Sequence, residues 1–326
     1  MAKISTMKAL NLAFHDEFAH DEKVIVIGEA VGDKGGAWGY FGGLKAKFGA
    51  NRMLDMPIAE PGFCAFACGT TFAGYRPVVE FMFADFITIG LENIMNMAAK
   101  QRYNSGGINS CPIVYLAPHG GGTSGAHHSQ SVEAWMMNIP GIKVVAPTAP
   151  SDVKKYLQAS IRDDDPVVFI FQRALFGLTE DFDSENLVVP PSLLNASRVV
   201  KTGKDVTIVA YHRALVNVIK AAEELEAEGI SCEIIDPIVL RPLDTEKMFA
   251  SVKKTGKCLI VHEAPKFGGF GTVISAAISE NCLGDLVKPI VRMGGKEQPI
   301  AFGNFGEMYM YPNVEEIKDQ IRALAR

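Results

Sequence analysis

The sequence contains no uninterrupted run of about 18 apolar residues, so no segment reads as a membrane-crossing helix. Basic charge is not in excess. With 32 Lys and Arg against 37 Asp and Glu, the formal charge of −5 offers no footprint for a phosphate backbone, which excludes a general nucleic-acid binder. The six cysteines (Cys64, Cys68, Cys111, Cys232, Cys258, Cys282) are scattered through 326 residues. Those in apolar or strand-like stretches, Cys64, Cys68, Cys232 and Cys258, read as buried reduced thiols rather than a disulfide framework. The CxxxC of Cys64 and Cys68 has no second cysteine pair or HxxxH to complete a zinc set. There is no GxxxxGK[ST], so no P-loop, and the glycine cluster of KCLIVHEAPKFGGFG (257–271) lacks the third glycine of a dinucleotide fingerprint. A GxG at such a strand-to-helix turn reads as tight backbone packing. The first residues, MAKISTMKALNLAFHDEFAHDEK, carry four acidic groups and no signal-peptide core, which points to a cytoplasmic location or to a compartment whose targeting peptide has been removed. Internal repeats and low-complexity tracts are absent as well.

What is present has the composition of an ordinary globular protein, 48% hydrophobic and 21% charged, and at ~100 to 200 residues per domain the length accommodates two domains. Met7, Leu10, Phe14 and Phe18 recur at helical spacing, so the chain opens with an amphipathic docking helix. Continuous apolar runs follow at KVIVIGE (23–29), RPVVEF (76–81), PIVYLAP (112–118), IKVVAP (142–147) and PVVFIF (166–171), separated by helix-like stretches. Such alternation predicts a parallel sheet covered on both faces. Acidic, polar and proline residues interrupt both periodicities between about 179 and 205, and the alternation resumes with VTIVAY, SCEIIDP, KCLIVHE and PIVRMG. The expectation is an α/β protein of two domains, each a mostly parallel sheet flanked by helices: residues 1–185, a linker over 186–204, and a smaller domain over 205–326.

Three first-domain segments at strand ends carry candidate chemistry: DMPIAEPGF (55–63), EFMFADF (80–86) and APHGGGTSGAHHSQS (117–131). Glu60 sits among Ile58, Ala59, Pro61 and Phe63, which would desolvate its carboxylate and raise its pKa, as suits a proton-passing group. On this segment alone an ordinary capping or salt-bridged glutamate is the favoured reading, since most glutamates are structural. The glycine run 120–122 leads into His127 and His128, either an acid–base pair on a hinged loop or two histidines bonded to backbone. The apolar residues of EFMFADF could be core or could flank a flat ring.

Taken in order, IAEPGF, RPVVEFMFADF, GAHHSQS, IPGIKVVAP and IRDDDPVVF resemble the beta subunit of the thiamine-diphosphate-dependent decarboxylase component of 2-oxo acid dehydrogenase complexes, a group that includes the pyruvate, branched-chain and acetoin enzymes. The likeness continues through DVTIVAY, EIIDPIVLRPLD and HEAPKFGGFG. It implies a transketolase-like pyrimidine-binding domain followed by a transketolase C-terminal-like domain. By the same resemblance Glu60 hydrogen-bonds a ring nitrogen of the aminopyrimidine and so promotes deprotonation of the thiazolium carbon. Phe86 stacks on that ring, Met82 packs beside it, Ile58 contacts its edge, and Glu29 with the GDKGGAWGYFGG loop lines the site or a subunit contact. His128 would face the substrate carbonyl or the lipoyl group. The sequence departs from the family at His127, where glutamine is usual, and in IAEPGF where IAEAGF is usual. The resemblance further implies a monovalent-cation (K+) site built partly of backbone carbonyls near IRDDDP, at Ile113, Ser160, Asp163 and Asp165.

A thiamine diphosphate site also needs a Mg2+ and diphosphate grip, written in these families as GDG followed by Asn. This sequence contains Gly32–Asp33–Lys34 and Gly284–Asp285–Leu286, but no GDG. The implication is an alpha subunit carrying GDG…N in an α2β2 assembly, with a lipoyl-bearing acyltransferase core as acyl acceptor and a 2-oxo acid or acetoin as substrate. Two competing readings are the C-terminal half of a split transketolase and a non-catalytic scaffold. The first would need basic residues for sugar phosphates, and HGGGTSGAHHSQS has no Arg or Lys. The second is hard to reconcile with retention of Glu60, Phe86 and His128 together.

Overall fold

The computed structural model describes residues 2–121 and 124–326. It divides into two compact units, one formed by Met1–Gly120 with Trp135–Leu194 and the other by Gly121–Ala134 with Asn195–Arg326. The GAHHSQS segment therefore clusters with the second unit, although sequence order placed it in the first.

In the first unit the apolar runs form strands β2 (Val24–Gly28), β4 (Arg76–Glu80), β5 (Val114–His119), β6 (Lys143–Val145) and β7 (Val167–Gln172), joined by a short strand β3 (Met53–Asp55). They pair in parallel in the order β6–β7–β5–β4–β2–β3. Every residue of β2, β5 and β7 is buried, as a sheet covered on both faces requires. Two strands that the alternation did not show, β1 (Ala2–Ser5) and β8 (Thr179–Phe182), form a separate antiparallel pair.

The opening helix spans Thr6–His20 and is capped by Ser5, whose hydroxyl accepts from the Lys8 amide. Its buried stripe holds Leu10, Phe14 and Phe18 as expected, while Met7 is only half-buried. Glu17 is buried in the same stripe, because the helix Pro150–Arg162 brings Arg162 onto it at 2.6 Å.

In the second unit, strand β9 (Arg198–Lys201) lies within the stretch read as linker, followed by β10 (Val206–Ala210), β11 (Cys232–Asp236), β12 (Val239–Arg241), β13 (Cys258–Pro265) and β14 (Val291–Gly295). One sheet takes the order β14–β13–β10–β11–β9, parallel except for β9, which runs antiparallel at the edge. The helices His212–Glu226 and Val314–Ala325 close over it through Leu215, Val218, Ile317 and Ile321. The GGFG glycines serve packing: a Cβ at Gly269 or Gly271 would lie 2.6 Å from the His262 ring. Burial pulls that imidazole down to about 4, so it is neutral at pH 7. All six cysteines are free and buried.

Gly141, in the turn before β6, has φ +103, and a Cβ there would fall 1.9 Å from the Ala99 carbonyl oxygen. Gly141→Ala is expected to cost about 2 kcal/mol or more, from backbone strain and the clash together. A thermal melt of the purified protein checks this, and an unchanged midpoint would refute it.

Candidate active site

In an open parallel sheet, ligands bind beyond the carboxyl ends of the strands, where neighbouring connections leave in opposite directions. Here that point lies between β2 and β4, because β2 connects outward to β3 while β4 connects the other way to β5. Glu29 follows β2, Ile58 and Glu60 follow β3, and Met82 and Phe86 follow β4. The fold thus delivers these sequence-selected residues to the ends of three adjacent strands.

Glu60 is the first residue of the helix Glu60–Phe72, with Pro61 in the first turn. A carboxylate there is favoured by the helix dipole. Glu60 is 5% exposed whereas Ile58 is 80% exposed, and Pro61 is exposed as well. Of the apolar neighbours noted in the sequence, only Phe63 is fully buried; Ile58 and Pro61 line an outer face. Met82 and Phe86 are half-buried. Trp38 fixes this stretch by donating its indole N–H to the Met82 carbonyl at 2.9 Å and by meeting the Phe83 ring edge-on at 5.4 Å. Phe83 in turn holds the Phe86 ring in a T-shaped contact at 5.7 Å.

Glu29 is half-buried, and its carboxyl is held above the usual range by burial and by the negative charge of Glu60. A third acid, Glu80, which the sequence did not single out, ends β4. It is buried, and burial drives its pKa up to about 8, with Glu29 adding repulsion. Tyr40 donates its hydroxyl to Glu80 Oε1 at 2.5 Å, and the Ala37 amide adds a second bond. The only sequence signal was a glutamate closing an otherwise apolar strand.

His128 clusters with the second unit, whereas Glu60 belongs to the first. It is half-buried and His127 is exposed. Gly122, which ends the preceding glycine run, and Thr123 lie outside the described residues. The segment after His128 is anchored by Tyr211, which donates to buried Glu133 Oε1 at 2.6 Å, and by Tyr311, whose hydroxyl meets the Ser129 carbonyl at 3.4 Å. Burial raises the Glu133 carboxyl and the Tyr211 bond pulls it back down.

The IRDDDP turn is already occupied by the chain's own cations. Lys143 binds Asp163 Oδ1 at 2.7 Å, Arg102 binds Asp165 Oδ1 at 2.5 Å, and Arg76 donates to the Asp163 carbonyl at 2.9 Å. The Ile113 carbonyl accepts from Val167, and the Ser160 hydroxyl donates to the Tyr156 carbonyl. These pairs engage the Asp163 and Asp165 carboxylates, whereas a carbonyl that accepts one hydrogen bond keeps a second lone pair.

A model of transketolase pyrimidine-binding domains matches residues 2–178, and one of transketolase C-terminal domains matches residues 195–317. The chain is 39% identical over 328 residues to the 2-oxoisovalerate dehydrogenase subunit beta of Bacillus subtilis, covering 100% of this chain and 99% of that protein. It is 38% identical to the pyruvate dehydrogenase E1 component subunit beta of Rhizobium meliloti, over 99% and 70% of the two chains. Among solved structures, an inactive beta4 tetramer of a split-gene transketolase matches with a TM-score of 0.81 over 99% of both chains, at 24% identity, a likeness of fold.

Tyr211→Phe should leave the Glu133 carboxylate without its donor, lowering stability by about 1–3 kcal/mol. The lost bond favours the charged form, so the folded-state pKa of Glu133 rises further above its unfolded value. The deficit therefore grows as pH rises and should be larger at pH 8 than at pH 5. Urea titrations at the two pH values test it, and an equal deficit at both would rule out the coupling.

Proposed function

The chain belongs to the family of E1 beta subunits of 2-oxo acid dehydrogenases, and from that premise we propose that Glu60 is its cofactor-activating carboxylate and His128 its substrate-side donor. Membership makes the protein a component of a thiamine-diphosphate-dependent 2-oxo acid dehydrogenase that works with an alpha subunit. The observation that carries the site reading is the convergence of Glu29, Ile58, Glu60, Met82 and Phe86 at the ends of β2, β3 and β4.

These residues fit an aminopyrimidine. A buried carboxyl at a helix start, an exposed Ile58 and half-buried Met82 and Phe86 offer one acidic and several apolar contacts to a flat polar ring. When bound, thiamine diphosphate supplies the electron sink for decarboxylation. The protein's part is to bind and orient the ring through Phe86, Met82 and Ile58 and to hold a proton at the Glu60 carboxyl, against the ring nitrogen. The Glu29 carboxyl, which follows β2, is itself raised by burial and by the charge of Glu60. His128 would then donate a hydrogen bond or proton to the substrate carbonyl or the incoming acyl acceptor.

The diphosphate and its Mg2+ are assigned to the alpha subunit, through a GDG…N segment that this sequence lacks. The helix Glu60–Phe72 packs on Asn93–Met97, tied by the Asn93 amide to the Pro61 carbonyl at 3.1 Å. Both elements leave apolar side chains exposed, Phe66 and Phe72 on one and Met95 and Met97 on the other. That face supports burial against the partner subunit. The acyl acceptor in this reading is a lipoyl-bearing acyltransferase core. A K+ ion near the IRDDDP turn, held partly by backbone carbonyls, is given no step. Among the described residues, no helix is long and apolar enough to cross a membrane.

Glu60→Gln keeps shape but cannot cycle the proton, so turnover of 2-oxo acids by the assembled enzyme should fall by ~100-fold or more. Co-elution with the alpha subunit should be unchanged. An assembled variant turning over at wild-type rate would sink the assignment. His128→Ala is expected to slow acyl transfer to a lipoyl domain more than it weakens assembly. Unaltered kinetics with both an artificial acceptor and the lipoyl domain would return His128 to a structural role.

A further inference from the structure

After β14 the chain turns its apolar side chains away from the core. In the short helix Asn304–Met310, Phe305, Met308 and Tyr309 recur at i, i+3 and i+4 and are all exposed, Phe305 to 92%, while Glu307 and Met310 are the buried residues. Phe302, just before the helix, and Phe267, after β13, are exposed as well. An aromatic stripe facing outward over a buried glutamate reverses the usual pattern and marks a contact face.

Cations adjoin this stripe. Lys266, Arg292 and Lys296, together with Met310 and Tyr311, line a cavity of about 270 Å3. The Lys296 ammonium lies over the Tyr309 ring, 2.7 Å from its centre, which joins the cavity to the stripe. Arg292 is fixed by donating Nη1 to the Lys266 carbonyl at 2.9 Å, and among the described residues none of the three cations pairs with a carboxylate. Two nearby acids are engaged by backbone: Glu297 accepts from the Phe267 amide, and Glu316 accepts from the Asn313 amide at the start of the helix Val314–Ala325. In a chain of net charge −5, three cations without carboxylate partners beside an exposed aromatic stripe match a partner surface that is acidic around an apolar centre.

The same stretch of chain holds the segment that carries His128. Phe302 forms an antiparallel bridge with Ser124, and its ring is so near Gly125 that a Cβ there would lie 3.4 Å from it. At the other end, the Tyr311 hydroxyl donates to the Ser129 carbonyl at 3.4 Å. His128 therefore lies between two anchor points, and the outward-facing helix runs from one to the other.

We propose that this face is the docking surface for the acyl acceptor, a protein domain with acidic groups around an apolar contact. The inference rests on the reading of His128 as the substrate-side donor, and it names the partner surface that serves that residue. Phe305, Met308 and Tyr309 form the apolar centre of the contact. Lys266, Arg292 and Lys296 form the charged rim that draws the domain in and fixes its orientation. A domain seated there starts its arm beside the 124–129 segment.

The test uses the complex with its alpha subunit, a 2-oxo acid and three acceptors: an artificial electron acceptor, free lipoamide, and the isolated lipoyl domain of the acyltransferase from the same organism. Phe305→Ala and the double variant Lys266→Glu, Lys296→Glu should each raise KM for the lipoyl domain by about tenfold or more, the effect of losing one interface anchor, with kcat at saturating domain unchanged. Turnover with the artificial acceptor and with lipoamide, neither of which has a protein surface, should stay at the wild-type rate. Added salt should raise the wild-type KM for the domain, and the double variant should lose that dependence or invert it. An unchanged KM for the domain in both variants would overturn the proposal. Loss of the alpha subunit from either variant would also overturn it, by making the face an intersubunit contact, as would a changed oligomeric state of the complex, by making it a contact between copies of this chain. A His128→Ala control separates the two readings: if it passes acyl groups to domain and lipoamide at the wild-type rate, the role of His128 fails whatever the docking variants do.

Discussion

Because β2 pairs in parallel with both β3 and β4, three chain segments leave the first unit's sheet at one edge, and the chemistry of that unit depends on this arrangement. Val26 pairs with Met53 on one side and with Val78 on the other. Glu29, Glu60 and Glu80 are therefore brought to one edge by backbone register rather than by side-chain reach. A slip of one residue would turn each inward side chain outward. The full burial of β2 makes such a slip costly, since its apolar residues would lose their packing.

Grouping carboxyls at a sheet edge is unfavourable in itself, and the surrounding structure shows how it is tolerated. Taking an ionised carboxylate out of water costs several kcal/mol unless it is paired, and a buried acid escapes most of that cost by staying protonated. Glu80 takes this course, with its pKa raised to about 8 and two donors on the carboxyl. Glu17, equally buried, takes the other course and pairs with Arg162 at 2.6 Å. Glu17 secures a helix, whereas the Glu80 cluster has neighbouring carboxyls where a cation would be expected. Local rules are broken in this way mainly where function requires it. The glycines at 28 and 36 are part of the same arrangement, because any side chain there would collide with Glu80.

Much of this was legible in the sequence because the signals were local. Apolar runs of five or six residues between helical stretches located most strands, and residue order alone marked Glu60, Met82 and Phe86 as strand-end residues. What escaped was non-local. The strand β9, RVVK, is short, charged at both ends and mostly half-buried, as an edge strand is, and so reads as linker. Residues 121–134 cluster with the second unit, a tertiary fact with no compositional trace. Glu80 escaped because a glutamate at the end of an apolar run usually marks the approach to solvent, and only the fold of the 32–43 loop reveals that it is covered. The convergence of Lys143, Arg102 and Arg76, from distant sequence positions, on the acidic IRDDDP turn likewise left no local trace.

On the proposed function, the electrostatics of the site and its assembly are linked. The inner side of the acid row is finished within this chain by Tyr40, Ala37 and the close glycines, while the outer side carries exposed Ile58 and half-buried Phe86. Coupling between Glu29 and Glu60 is screened as long as water reaches that outer side, since two charges interact several-fold more strongly at the effective dielectric of a protein site than in water. Covering the outer face with a partner subunit and a flat ring would remove the screening and strengthen the pull of each acid on its neighbour's proton. Activity would then depend on assembly for two separate reasons. The GDG…N segment is absent from this sequence, and covering the face around Ile58 would exclude water from the neighbourhood of Glu29 and Glu60.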